Sequence, residues 1–534
     1  MTQFATRTAI VLGVCAVAAT HADATDRPNL LFLFADDWGR HASAYAQIDD
    51  TDSISGLVGT PHFDRLATEG VLFTHAFVSA PSCTPCRSAL LSGQHFWRTR
   101  RGAILRGATW DPTIPTFPLL LERHGYHLGF SYKVWSPGTP RDAPIGGERT
   151  EFVPAGRRFN SFSQTASRLV ARGVPFSAAQ AELLAEVRGN FRAFLAARGT
   201  GQPFAFWLGP TNVHRKWEPG SGQALWGLDP AALRGKLPPF LPDVPEVCQD
   251  LTDYLGEVQA FDLAIGVLVE ELRRLGEYER TLIVISGDHG PPGFPHGKCN
   301  LYDFGTRVPL VVSGPGVRGG RVVDDLVSLP DLAPTILESA KVEVPAGMTA
   351  RTLWPVLGAS HQGQVDPTRT EVFTGRERHV AEARAGNLPY PQRAIRTLQH
   401  LLILNFHPER YPLGDPRRLD GDNPPSRDEL TSDTRAALAD EDAGPTKAWL
   451  IEHRRDSQWA EYFERAYGKR PGVELYDVHE DPHQMRNLAA DPTHRATLEN
   501  LQTRLLAELQ TTGDPRLVDN GRFFEEVAKF DTQR

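Results

Sequence analysis

Four short runs, NLLFLFA, PFAFWLG, TLIVISG and VPLVVSG, carry apolar side chains with almost no polar alternation. A strand with one wet face alternates polar and apolar residues, so such runs predict parallel strands buried on both faces. Between them, TPHFDRLATEG, SAAQAELLAEVRGNFRAFLAARG and LTDYLGEVQAFDLAIGVLVEELRRLGE carry the apolar spacing of helices. Pro61 suits a first helical turn, where its missing N–H would have had no partner. The alternation predicts an α/β fold, a large, mixed but mostly parallel sheet flanked by helices. In such sheets a site lies beyond the carboxyl ends of the strands.

The pattern changes after about residue 370. HLLILNF and GVELYDV read as strands of a smaller antiparallel sheet and HRATLENLQTRLLAELQ as a closing amphipathic helix. We therefore expect a catalytic α/β domain over residues 25–370 and a smaller C-terminal α+β subdomain over 371–534. Two Gly-, Pro- and charge-rich excursions, near 136–163 and 416–446, read as surface loops able to shape an entrance. The first 24 residues read as a signal peptide: Arg7, an apolar stretch from Ala9 to Ala19, and an Ala22-x-Ala24 cleavage signal. Val14 is bulky for the position before a lipidated cysteine at Cys15. The expectation is an exported protein, periplasmic or secreted, and no later segment offers the ~20 apolar residues of a membrane span.

Composition narrows the partners. Lys and Arg number 57 against 65 Asp and Glu, a net charge of -8, which gives no basic footprint for nucleic acid. Beyond the leader only Cys83, Cys86, Cys248 and Cys299 remain, too few and too dispersed for a disulfide scaffold. Cys83 and Cys86 form a single C-x-x-C without a second pair to complete a zinc site, and no thioredoxin-like context surrounds it.

Charged residues gather at the predicted strand ends. Asp36 and Asp37 follow the first run, and Asp288 and His289 follow TLIVISG. Adjacent carboxylates repel unless a cation or hydrogen bonds compensate them. Either pair alone could cap a helix or turn; the two together favour a shared divalent ion, and an oxygen-rich donor set points to Ca²⁺ or Mg²⁺. Lys133, His214 and Lys298 stand near the same ends, where they could neutralise a compact oxyanion.

With these pieces in place, the chain resembles the type I sulfatases of the alkaline-phosphatase-like superfamily. The matching stretches are PNLLFLFADDWG, TPHFDRLATEGVLFTHAFVSAPSCTPCRSALLSG, GYHLGFSYK, NVH, SGDHG, GKCNLYDFGTRVPLVVSGPGV, DLAPTIL and ELYDVHEDPHQMRNLAADP. Cys83-Thr84-Pro85-Cys86-Arg87 is the family's C-x-P-x-R signature, whose first cysteine is oxidised to Cα-formylglycine by a maturation enzyme. The resemblance implies that Cys83 is a precursor: its aldehyde hydrates to a diol, one oxygen attacks sulfur, and the other expels sulfate as the aldehyde reforms. It further implies that Asp36, Asp37, Asp288 and His289, with the modified Cys83, bind one Ca²⁺. Arg87 would hold the diol, Lys133 and Lys298 the sulfate oxygens, and His214 would protonate the leaving group.

Many family members carry a histidine two residues after the first lysine; this chain reads Lys133-Val134-Trp135. Trp135 is either core filler or a surface for stacking on a sugar. GFPHGKCNLYDFG looks closest to the heparan N-sulfatases, which implies a sulfated saccharide, with N-sulfoglucosamine as one candidate. Lys298 stands where the mammalian relative has arginine. Arg376, Arg378, His379, Arg393 and Arg396 would either meet a polyanionic sugar or serve as ordinary surface charge. Three other readings stay open: an O-sulfatase for another glycan, a phosphonate monoester or phosphodiester hydrolase with the same signature, and a silent glycan-binding relative.

Overall fold

The protein, described here by a computed structural model, is defined for residues 27–49, 53–140 and 142–526. The expected leader, with Arg7, Cys15 and the Ala22–Ala24 signal, lies outside the described residues. Among the described residues no helix is long and apolar enough to cross a membrane.

The large sheet contains β1 (Asn29–Ala35), β2 (Val71–Phe77), β3 (His127–Tyr132), β4 (Phe204–Gly209), β5 (Thr281–Gly287), β6 (Arg307–Ser313) and β7 (Arg321–Ser328). Their order across the sheet is β3-β4-β1-β5-β6-β2-β7. β1 pairs in parallel with β4 and β5, as do β3 with β4 and β2 with β7, whereas β6 runs antiparallel to both β5 and β2. VPLVVSG was expected as a parallel strand and is β6. Its apolar run reports burial on both faces, which an antiparallel strand between two others shares. Along β1, Leu31, Leu33 and Ala35 enter one core and Leu30, Phe32 and Phe34 the other, the period-two alternation of a covered strand. The apolar pattern did not reveal β7, because Asp324 and Asp325 interrupt it; the Asp325 carboxylate accepts the N–H groups of Val365 and Asp366, each at 2.6 Å.

The second sheet is antiparallel throughout, with β8 (Glu371–Arg376), β9 (Gln392–Thr397), β10 (His400–Asn405) and β11 (Val473–Asp477) in the order β11-β10-β9-β8. HLLILNF and GVELYDV are β10 and β11. The helix Arg495–Thr511 lays Leu501, Leu505 and Leu509, four residues apart, against Ile395, Leu402 and Leu475. The arginines of β8 and β9 are neither surface charge nor sugar readers. Arg376 pairs with Asp440, Arg393 with Glu377 and Asp514, and Arg396 with Asp303, all inside the protein. A buried guanidinium is tolerable only with such partners. Nor are the two polar excursions simple surface loops. Phe159 and Phe162 of the first are core residues, and Ala436–Glu441 of the second are buried.

One helix, Pro245–Arg274, organises the near side of the sheet. Its carboxylates accept N–H groups at the starts of four other helices. Asp250 takes Thr446, Asp253 takes Gly220 and Gly222, Glu257 takes Ser163, and Asp262 takes His62 and Phe63, at 2.8–3.2 Å. The first N–H groups of a helix have no partner within it and carry partial positive charge, so these contacts serve as caps supplied from outside. Burial pushes the Asp253 carboxyl up to about 6 and those of Glu257 and Asp262 up to about 7, against the donors that pull them down. An acid raised above its unfolded value of about 4 contributes stability that is present below that value and lost as pH rises through the folded one. Asp262→Asn does not titrate, so its Tm deficit relative to wild type should shrink between about pH 5 and about pH 8. A deficit constant across that window would contradict the assignment.

Candidate active site

Because every strand of the large sheet except β6 points one way, the loops leaving β1, β2, β3, β4 and β5 meet at one edge. Asp36 and Asp37 leave β1, Lys133 leaves β3, His214 follows β4, and Asp288 and His289 leave β5. Lys298 lies in the segment that returns to β6. Cys83 opens the helix Cys83–Ser92, and Arg87 sits four residues on, one turn along the same face. Small residues let these strand ends crowd together: a Cβ on Gly209 would lie 1.8 Å from the Lys133 carbonyl oxygen, and one on Gly287 2.1 Å from that of Trp38. Asp37 adopts a left-handed backbone with φ 60, and Cys299, after Lys298, has φ 68. Such conformations persist where the surroundings over-determine them, often at functional sites.

Three buried carboxylates face three cations. Lys133 Nζ lies 2.6 and 2.7 Å from the two oxygens of Asp36. Arg87 donates from Nη2 to Asp36 at 3.0 Å and from Nε to Asp288 at 2.9 Å. Its Nη1 donates to the carbonyls of Lys133 and Val134. Lys298 Nζ donates to Asp37 Oδ2 at 3.0 Å. Burial alone would raise the Asp36 carboxyl, but Lys133 and Arg87 outweigh it and hold the group well below the usual carboxylate range. Burial raises Asp288, against the pull of His289 and Arg87. Burial likewise pushes the Cys83 thiol well up despite Lys133 and Lys298, so the unmodified side chain is a poor source of thiolate.

Two overlapping groups of potential ligands form, Asp37, Cys83, Asp288 and His289, and Asp36, Asp37, Cys83 and His214, with the ligand atoms of each within 4.8 Å of one another. His289 Nε2 lies 3.2 Å from Asp37 Oδ1 and 3.6 Å from Asp288 Oδ1. These spacings match the edge of a coordination shell with metal–oxygen distances of about 2.3–2.6 Å, and a set rich in carboxylate oxygen suits a hard cation. The donors fit Ca²⁺. His214 Nδ1 faces the Arg215 carbonyl at 2.5 Å, which assigns its N–H to Nδ1 and leaves Nε2 turned to the pocket. That Nε2 lies 3.3 Å from Lys298 Nζ and 3.7 Å from Asp37. With its side chain 30% exposed, against 3% for Lys298 and 11% for Lys133, His214 stands at the mouth.

Trp135, Arg378 and His379, each weighed as a sugar contact, are buried. Trp135 is core: its indole N–H donates to Ser88 Oγ and its ring meets Trp110 edge to face. Arg378 is buried and donates to the Arg106 carbonyl. His379 is buried against Ser82, just before Cys83, and burial together with Lys298 pushes its imidazole down to about 3, which keeps it neutral. Conversely, no pattern in the sequence announces Asp442, whose Oδ2 lies 3.1 Å from Lys298 Nζ. The run DEDAG lies in a polar excursion, and no local pattern separates its three acids.

Comparison with known proteins agrees with this geometry. The family described as Sulfatase matches residues 28–342, and the one described as N-sulphoglucosamine sulphohydrolase, C-terminal, matches residues 291–411. Human N-sulphoglucosamine sulphohydrolase is 29% identical over 95% of this chain and 93% of its own. An ulvan-active sulfatase of Formosa agariphila is 24% identical over 93% of this chain and 77% of its own. A protein solved in complex with its substrate D-glucosamine-2-N,6-O-disulfate shares the fold with TM-score 0.56 at 18% identity, over 91% of this chain and 98% of its own. So does a phosphonate monoester hydrolase of Silicibacter pomeroyi, with TM-score 0.59 at 19% identity, over 92% and 97%.

Proposed function

The chain belongs to the sulfatase family and is a hydrolase of sulfuric esters or sulfamates; on that premise we propose that it acts on a sulfated saccharide of glycosaminoglycan type, with N-sulfoglucosamine favoured. The observation that carries the chemistry is the convergence of Cys83, Arg87, three carboxylates, two lysines and His214 at one sheet edge. The substrate reading is supported by the resemblance to human N-sulphoglucosamine sulphohydrolase along nearly the whole chain. Asp36, Asp37, Asp288 and His289 would hold Ca²⁺, which together with a formylglycine made from Cys83 by a maturation enzyme would supply positive charge and an oxygen nucleophile. Export ahead of or after that conversion fits the leader-like first 24 residues.

The chain's own groups divide the remaining work. Arg87 fixes the orientations of Asp36 and Asp288 through a forked contact that a point charge could not make. Lys133 and Lys298 bind sulfate oxygens and neutralise the charge that grows on them as the bond to sulfur breaks. His214 delivers a proton from Nε2 to the departing nitrogen or oxygen. With Trp135 in the core, the imidazole that many relatives carry after the first lysine has no counterpart there, which leaves His214 as the imidazole at the mouth.

The fold is shared with a phosphonate monoester hydrolase, so relative rates must decide between the chemistries. On an aryl sulfate, an aryl phosphonate monoester and a phosphate diester with one common leaving group, kcat/KM should be highest for the sulfate by at least about tenfold. A phosphonate or diester preferred over the sulfate would overturn the reading.

A further inference from the structure

Asp442 places a carboxylate beside a pocket otherwise arranged for an anion. Lys298 Nζ stands between two acids, Asp37 Oδ2 at 3.0 Å and Asp442 Oδ2 at 3.1 Å, and His214, His379, Glu441, Lys447 and Cys299 also act on Asp442. An acid here divides the charge of a lysine proposed to hold sulfate, and like charges at such range repel. A site for sulfate alone would gain by losing it.

The chain nevertheless holds this side chain in place from both directions. Two residues earlier, Asp440 pairs with Arg376 and Arg384 and accepts the Val380 N–H at 2.8 Å. Four residues later, Thr446 donates its N–H and its hydroxyl to Asp250, at 3.2 and 2.6 Å, and Asp250 also takes Arg215 through two bonds of 2.8 and 2.7 Å. Gly444 packs against Arg215 so closely that a Cβ would come within 2.5 Å of Nη1. Lys447 Nζ donates to the carbonyls of Thr434, Leu438 and Glu441. The Asp442 side chain keeps 15% of its surface exposed. A carboxylate offers about four acceptor positions, and Oδ2, although ion-paired with Lys298, is buried without a hydrogen-bond donor.

We propose that Asp442 is a specificity-determining residue. It accepts a hydrogen bond from a substrate hydroxyl next to the sulfated group, and it disfavours an anion in that place. The pocket therefore favours a sulfated sugar with a hydroxyl beside the sulfated group over a sulfated compound with no donor there. The inference rests on the sulfatase reading and adds a selection rule to it.

The test compares wild type with Asp442→Asn, both with Cys83 converted, on N-sulfoglucosamine, an aryl sulfate and cyclohexylsulfamate, which has a sulfated nitrogen and no hydroxyl. The loss in kcat/KM on N-sulfoglucosamine should exceed those on the aryl sulfate and on cyclohexylsulfamate by at least about tenfold. Equal losses on all three substrates would overturn the proposal and leave Asp442 as a partner of Lys298 only. Calorimetric binding of N-sulfoglucosamine to the unconverted Cys83 protein gives a readout free of turnover. Tighter binding by wild type than by Asp442→Asn supports the proposal, and equal affinity overturns it. Failure of the sulfatase reading shows separately, as no sulfate release from any substrate by converted wild type.

Discussion

Arg87→Gln is expected to cost about 3–5 kcal/mol of stability and at least about a hundredfold in kcat/KM. Arg87 has no exposed surface and bonds Asp36, Asp288 and the carbonyls of Lys133 and Val134. Glutamine keeps some bulk but removes the charge, leaving Asp288 buried without its guanidinium partner. Burial already pushes that carboxyl up, so the loss of Arg87 would raise it further and favour its protonated form. The same change frees the two carbonyls through which Arg87 holds the backbone at Lys133, so the lysine proposed to bind sulfate loses its position. Denaturant unfolding and steady-state kinetics provide the two readouts. Stability within about 1 kcal/mol of wild type would mean that the buried charges are compensated without Arg87.

Cys83→Ala is expected to lower kcat/KM by at least about a thousandfold while moving stability by no more than about 1 kcal/mol. The thiol makes only long sulfur contacts, 3.5 Å to His289 Nε2 and 3.9 Å to Asp37 Oδ1, so little packing or hydrogen bonding goes with it. Every carboxylate–cation contact of the site survives the substitution. A large kinetic loss without a stability loss would therefore locate the chemistry at Cys83 itself. Turnover within about tenfold of wild type would remove Cys83 from the reaction and with it the formylglycine reading.

The sequence made the strand ends legible because chemistry and burial change there together. An apolar run stops and two charged residues follow, at Asp36-Asp37 and again at Asp288-His289, and the structure brings these pairs to one place. The direction of β6 was not legible, since a run buried on both faces looks alike whichever way it points. β8 and β9 stayed hidden because their arginines read as solvent-facing charge, and only distant partners such as Asp440, Asp514 and Asp303 make them core residues. Trp135 and Arg378 admit both a sugar-facing and a non-functional reading for the same reason: a side chain's type does not say which face of the chain it occupies. Asp442 illustrates the converse. It reaches Lys298 across 144 positions of sequence, 442 less 298, and nothing near either residue announces the contact.

The account is tested most directly by measuring sulfate release from N-sulfoglucosamine by two preparations of the same protein, one with Cys83 converted and one without, with the state of Cys83 read by mass spectrometry of its peptide. The expected result is release that scales with the converted fraction and vanishes in the unconverted preparation. Equal release by both preparations would contradict the role of Cys83, and release from neither, alongside turnover of a phosphonate monoester by the converted one, would contradict the sulfatase assignment.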